Sequence, residues 1–220
     1  MIQAFRNFLT RRTFAYKLRN KAMNMFSSFE NFKSVREKAE ASREAENRPH
    51  EVLYFHKVDD PYSHLTVHYI DKFNEAYDVQ FKPILVGEEN PAALHEPKLY
   101  TDYCLEDVIR IASYYDVDFP GISYPDKKLV DKANSILTAV NSEDFGSLAK
   151  TVSYALWSGD LAKLEELEVS YKSSEQDVIE NLKKGNEIRN SCDYYFGSAF
   201  YYEKELYWGV DRLNHLEDRL

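Results

Sequence analysis

Strand-forming sequence in this chain is confined to four stretches, and their spacing leaves few architectures open. Residues 51–58 (EVLYFHKV) and 79–86 (VQFKPILV) are dense in β-branched and aromatic residues; two shorter runs follow at 198–202 and 205–208. Only one helix fits between the first two. Asp60-Pro61 opens it, with Asp as the N-cap and Pro at the first helical position. Residues 91–191 read as helical, with breaks near residues 119–121, Pro125, Ser142 and residues 172–174. A short helix is expected over 211–220.

A strand–helix–strand unit of this size pairs its strands in parallel through the crossover helix, and a late tight hairpin adds two antiparallel strands. Pro83 inside the second strand places that strand at an edge or near an irregularity. On the first helix Tyr62, Leu65, Tyr69, Phe73 and Ala76 share one face. Asp60, His64, His68, Asp71 and Glu75 share the other, which reads as solvated. The expectation is an α/β, thioredoxin-like fold with an inserted all-helical subdomain. Residues 51–90 and 192–220 form the thioredoxin-like domain, 91–191 the insert, and 1–50 a basic helical extension.

Charge separates the extension from the rest. Residues 1–50 carry 11 basic and 5 acidic side chains, net +6; residues 51–220 carry 17 basic and 32 acidic, net −15. An acidic body lacks the clustered Lys and Arg that phosphate contacts require, so no nucleic-acid partner is expected at the main domain. The +6/−15 division points the arm at an acidic surface, of this body or of a partner. No apolar run reaches the roughly 20 residues of a membrane span. Cys104 and Cys192 stand alone and far apart, which excludes a disulfide framework and fits a reducing compartment, so the cytoplasm is expected. Residues 1–29 contain no acid but six Lys or Arg (Arg6, Arg11, Arg12, Lys17, Arg19 and Lys21), which is also the composition of an organellar transit segment.

Four stretches resemble one family group. Residues 54–65 (YFHKVDDPYSHL) are similar to its first strand, SPYS-type turn and helix start. Residues 82–88 (KPILVGE) are similar to its second strand and following bend. Residues 103–120 (YCLEDVIRIASYYDVDFP) resemble its D-x-x-R-x-A signature, and residues 207–213 (YWGVDRL) its terminal F-W-G-x-D-R-L. The group comprises the 2-hydroxychromene-2-carboxylate isomerases and kappa-class glutathione transferases, and more distantly DsbA. The resemblance covers residues 51–220. It implies glutathione as cofactor, a small thiol or aromatic molecule as substrate, isomerase or transferase chemistry, and a homodimer. It also implies a site of Asp60 and Ser63 as catalytic residues, with Ser198 and Asp211 binding glutathione.

Two substitutions depart from the group. Its turn carries Ser or Cys before the proline, where a helix N-terminus stabilises a thiolate. Here Asp60 stands in that position and Ser63 in the second cysteine position, so disulfide exchange has no sulfur to use there. A cis-proline is expected before the third strand; Ser198 takes its place, so a trans peptide and an altered loop are expected. Asp60 also reads, and more simply, as an ordinary N-cap, and Asp211 as a helix cap with Arg212 in an ion pair. Asp60, His64 and His68 fall at i, i+4 and i+8, a spacing that can present imidazoles to a metal. That same stripe continues into Asp71 and Glu75, as a solvated face would, and no metal is assigned.

Overall fold

The computed structural model describes residues 14–87 and 94–220. It divides into two compact units, residues 1–48 and 49–220. The first unit holds α1 (Phe14–Phe26) and α2 (Phe29–Ala45). Ser28 caps α2, its side chain accepting from the Asn31 amide at 3.2 Å. Neither helix contains a buried residue.

The second unit begins with β1 (His50–His56), α3 (Pro61–Ala76) and β2 (Val79–Leu85). The helical insert comprises α4 (Pro97–Ile111), α5 (Lys127–Thr138), α6 (Phe145–Ser158), α7 (Leu161–Ser170) and α8 (Glu175–Ser191). The chain returns through β3 (Ala199–Tyr202) and β4 (Glu205–Trp208), a 3-10 turn at Val210–Arg212, and α9 (Leu213–Glu217). Gly159, with φ +72°, caps α6 and makes a break before α7 that the sequence reading did not include. The expected start of the insert at residue 91 falls outside the described residues.

The sheet order is β2-β1-β3-β4. β1 runs parallel to β2, from His50 opposite Val79 to His56 opposite Leu85. β3 lies antiparallel to β1, with Phe55 opposite Ala199, and to β4, with Ala199 opposite Trp208. β2 is an edge strand, where a proline without an N–H costs the ladder least. The hairpin turns on Glu203 and Lys204, both at positive φ, the geometry that matches the twist of a two-residue loop.

α3 lies across the sheet and buries Leu65, Val67, Ile70 and Phe73. Full burial of such side chains contributes roughly 1.5–3 kcal/mol each before entropy is counted. Tyr54 stacks on Phe200 at 4.8 Å, joining β1 to β3 in the same core. α8 closes against β2 at Gly185, where a Cβ would come within 1.8 Å of the Leu85 carbonyl.

The face of α3 that carries His64 is covered rather than solvated. His64 is fully buried, and its face of α3 meets the insert. Nε2 donates to the Asp118 carbonyl at 2.8 Å, so Nδ1 accepts from the Ser153 hydroxyl at 2.9 Å. Asp71 pairs with Lys150 of α6 at 2.5 Å. Helical periodicity separates apolar from polar faces. It does not reveal that a second layer, folded from residues far along the chain, will cover the polar one with matching donors and acceptors.

Candidate functional site

The site is built where β1 turns into α3. The Asp60 amide donates to the Lys57 carbonyl at 3.1 Å, closing a tight turn that brings the Asp60 side chain over the helix N-terminus. Its carboxylate accepts from the Tyr62 amide at 3.3 Å, the Ser63 amide at 3.1 Å and the Ser63 hydroxyl at 2.8 Å. Ser63 Oγ in turn accepts from the Lys57 amide at 3.3 Å. The free N–H groups that would attract an external anion are therefore met by the chain's own carboxylate.

The approach to β3 presses on this turn from the other side. A Cβ on Gly197 would lie 2.7 Å from Lys57 Cβ, 3.2 Å from Asp60 Oδ2 and 3.3 Å from Ser63 Oγ. Only a residue without a side chain permits that approach. Ser198 follows at φ +52°, and no cis peptide bond occurs among the described residues, so this junction is trans. The Ser198 carbonyl accepts from the Gly209 amide at 2.8 Å. Its hydroxyl, fully buried, sits 3.3 Å from Thr66 Oγ1 and points into the core rather than toward a ligand.

Beneath the turn runs a buried polar chain that sequence reading missed. The Tyr54 hydroxyl lies 2.8 Å from Thr66 Oγ1, 3.3 Å from the Ser63 carbonyl and 2.9 Å from His56 Nδ1. Burial raises the Tyr54 pKa and, with His64 nearby, lowers that of His56 to about 3. Both groups are held neutral. His56 Nε2 is buried with no hydrogen-bond partner.

A cavity of about 610 Å³ opens beside α3, between α4 and the segment that follows β4. Tyr62, Tyr103, Tyr115 and Trp208 supply its aromatic wall, and Asp107 and Asp211 its charge. Tyr62 donates to Asp107 Oδ2 at 2.7 Å; burial and that hydrogen bond raise its pKa. Trp208 meets Tyr62 edge-on at 6.4 Å and stacks on Phe196, which stacks on Tyr100. Asp211 caps no helix. It sits inside the 3-10 turn, exposed, and accepts from Arg212 at 3.0 Å.

The structure thus gathers Asp60, Ser63 and the backbone at Ser198 into one corner and places Asp211 in the cavity next to it. Tyr62, two residues beyond Asp60, joins the two regions. Asp107 and Trp208 lie within the stretches that carry the family resemblance, but no spacing pattern in the sequence distinguishes them as a pair of walls. Cys104 is buried, and Cys192, half-buried, has its pKa raised by burial; neither belongs to the turn. Both ring nitrogens of His64 are committed, and no group of three or more His, Cys, Asp or Glu is close enough to hold a metal among the described residues.

Among solved structures the chain is similar to a 2-hydroxychromene-2-carboxylate isomerase, with a TM-score of 0.56 over 76% of this chain and 93% of that one, at 18% identity. That likeness shows the fold, a thioredoxin-like sheet with an inserted helical subdomain. No family model and no curated protein matches the sequence. No helix among the described residues is long and apolar enough to cross a membrane.

Proposed function

From the fold it shares with 2-hydroxychromene-2-carboxylate isomerase, we propose that this chain binds glutathione, or a similar γ-glutamyl thiol, as the neutral thiol and without disulfide chemistry. The observation that carries this is the Asp60 carboxylate, seated on the α3 N-terminus and held there by Ser63 at 2.8 Å. A thiolate about 4 Å from a carboxylate is repelled by roughly 4 kcal/mol at an effective dielectric of ~20. A helix N-terminus returns only about 0.3–1 kcal/mol, rising to ~2 in favourable geometry. A neutral thiol escapes the repulsion and can donate its S–H to the carboxylate.

The γ-glutamyl end matches the Asp211–Arg212 pair, with its ammonium on Asp211 and its carboxylate on Arg212. Isomerase or transferase chemistry then proceeds without a stored thiolate. Asp60 would take the thiol proton only as sulfur attacks. Full transfer from a free Cys to a free Asp costs about 6 kcal/mol, given a pKa gap of ~4.6.

A second reading, a binding or scaffolding domain that has lost the thiol site, is favoured by one observation. Gly197 packs against Asp60 and Ser63 with space for nothing larger than hydrogen. Calorimetric titration of the full chain with glutathione and S-methylglutathione, at pH 7 and pH 9.5, separates the two. Glutathione affinity should fall more at the higher pH than S-methylglutathione affinity does, because both ligands lose the ammonium charge but only glutathione gains a thiolate. Heat from neither ligand would establish the second reading instead.

A further inference from the structure

We propose that α1 docks on an anionic lipid surface. In this helix Phe14 is 82% exposed, Leu18 58%, Met25 61% and Phe26 68%. At about 100° per residue these four, with Ala15 and Ala22 between them, occupy one arc of about 120°. Lys17 and Lys21 border that arc on one side and Arg19 on the other. None of the three forms an ion pair among the described residues.

The charge pattern selects the occupant. No acid occurs from residue 1 to residue 29, so any surface covering the arc meets cations alone along its borders. Anionic headgroups supply the opposite charge on both sides, while the acyl boundary takes Phe14, Leu18 and Phe26. Lys and Arg flanking an apolar face reach headgroups with their charged ends while their stems stay apolar. A nucleic acid would satisfy the cations and leave the apolar arc in water. An acidic protein surface, the partner that charge alone suggests, supplies no apolar ground as broad as the arc unless it is itself grooved.

Among the described residues the helix runs from Phe14 to Phe26 and carries Lys17, Arg19 and Lys21, a pattern suited to lying in the plane of the interface. Three basic residues at a negatively charged surface should favour anionic over neutral vesicles by about 100-fold. Raising salt toward 0.5 M should erase most of that preference, because surface attraction decays within a Debye length.

The test is co-sedimentation of the full chain with vesicles of phosphatidylcholine alone, or with about 30% phosphatidylserine. Mass by light scattering is followed in parallel. Salt-sensitive binding to the anionic vesicles alone is expected. Leu18→Glu with Phe26→Glu should abolish it, and Lys17→Glu with Lys21→Glu should weaken it at least tenfold. Thermal stability should be unchanged, since α1 buries no residue. Absence of vesicle binding, or equal binding to neutral vesicles, overturns the proposal. So does a fall in mass on Leu18→Glu without vesicle binding, which would make a second copy the occupant.

Discussion

The Ser63 hydroxyl donates to the Asp60 carboxylate at 2.8 Å, so two residues that read in sequence as separate catalytic candidates form one closed cap. The pair satisfies the start of α3 internally, which is a structural role and a functional constraint at once. Any ligand approaching this helix meets a negative charge where the fold otherwise offers partial positive charge.

Asp60→Ser should therefore strengthen glutathione binding by one to two orders of magnitude at pH 9.5, where the thiolate dominates and part of the ~4 kcal/mol repulsion is relieved, and change it little at pH 7, where the neutral thiol binds. The gain should increase with pH, because only the thiolate is repelled. Serine still caps a helix, so stability should change by at most about 1 kcal/mol. Calorimetry on both proteins at two pH values measures this; equal affinities would mean that Asp60 does not face the thiol.

Asp211→Asn should reduce glutathione affinity about tenfold or more by removing a charge-assisted hydrogen bond to the γ-glutamyl ammonium, worth ~1.5–3 kcal/mol. The residue is exposed and caps nothing, so the melting temperature should stay put. Titration of an analogue lacking the γ-glutamyl amino group provides the control, since it should bind both proteins alike.

Dithiol oxidase and disulfide reductase activity should be absent. Positions 60 and 63 carry no sulfur, Cys104 is buried, and the Cys192 thiol is raised in pKa by burial. Turnover in an insulin-reduction assay that disappears on mutating either cysteine would contradict the site described here.

Acid should destabilise the protein earlier than its carboxylates alone require. The folded pKa of His56, about 3, lies below the ~6.5 of an unfolded histidine. Between those values the unfolded chain holds the proton and the folded chain does not. This contribution is complete above pH ~6.5 and declines as pH falls toward 3, by up to about 1.4 kcal/mol per unit. His64, also lowered by burial, acts in the same direction. Urea unfolding between pH 7 and pH 4 should show a shallower loss for His56→Gln than for wild type. Parallel curves would place the acid sensitivity elsewhere.

Gly197→Ala should cost roughly 1–3 kcal/mol, the usual penalty for forcing a methyl group into a packed site. The nearest atom is Lys57 Cβ at 2.7 Å, fixed to the backbone and unable to swing aside. Chemical denaturation gives the difference directly; a neutral result would show that the β3 approach and the turn are less tightly joined than these distances require.

Much of this arrangement was legible in the sequence because it rests on local chemistry. Asp60-Pro61 specifies a helix start wherever it falls, and the structure starts α3 there. Pro83 confines its strand to an edge or an irregularity, and β2 is an edge. Residues dense in β-branched and aromatic side chains marked β1 and β2, and the short aromatic runs at 198–202 and 205–208 marked β3 and β4, each to within one or two residues. The thioredoxin-like order of elements followed from those positions and the handedness of crossovers.

What only the tertiary structure decided depends on which distant surface covers which side chain. His64 became a core residue because α6 supplies Ser153, and the loop before α5 supplies the Asp118 carbonyl. The Ser198 hydroxyl became a core group because a left-handed backbone turns it toward Thr66. Asp107 became a cavity wall because Tyr62 reaches it from another helix at 2.7 Å. Periodicity and capping are properties of a few consecutive residues and survive in the sequence. Burial, partner choice and cavity shape are set by packing between segments tens of residues apart, and no local pattern encodes them.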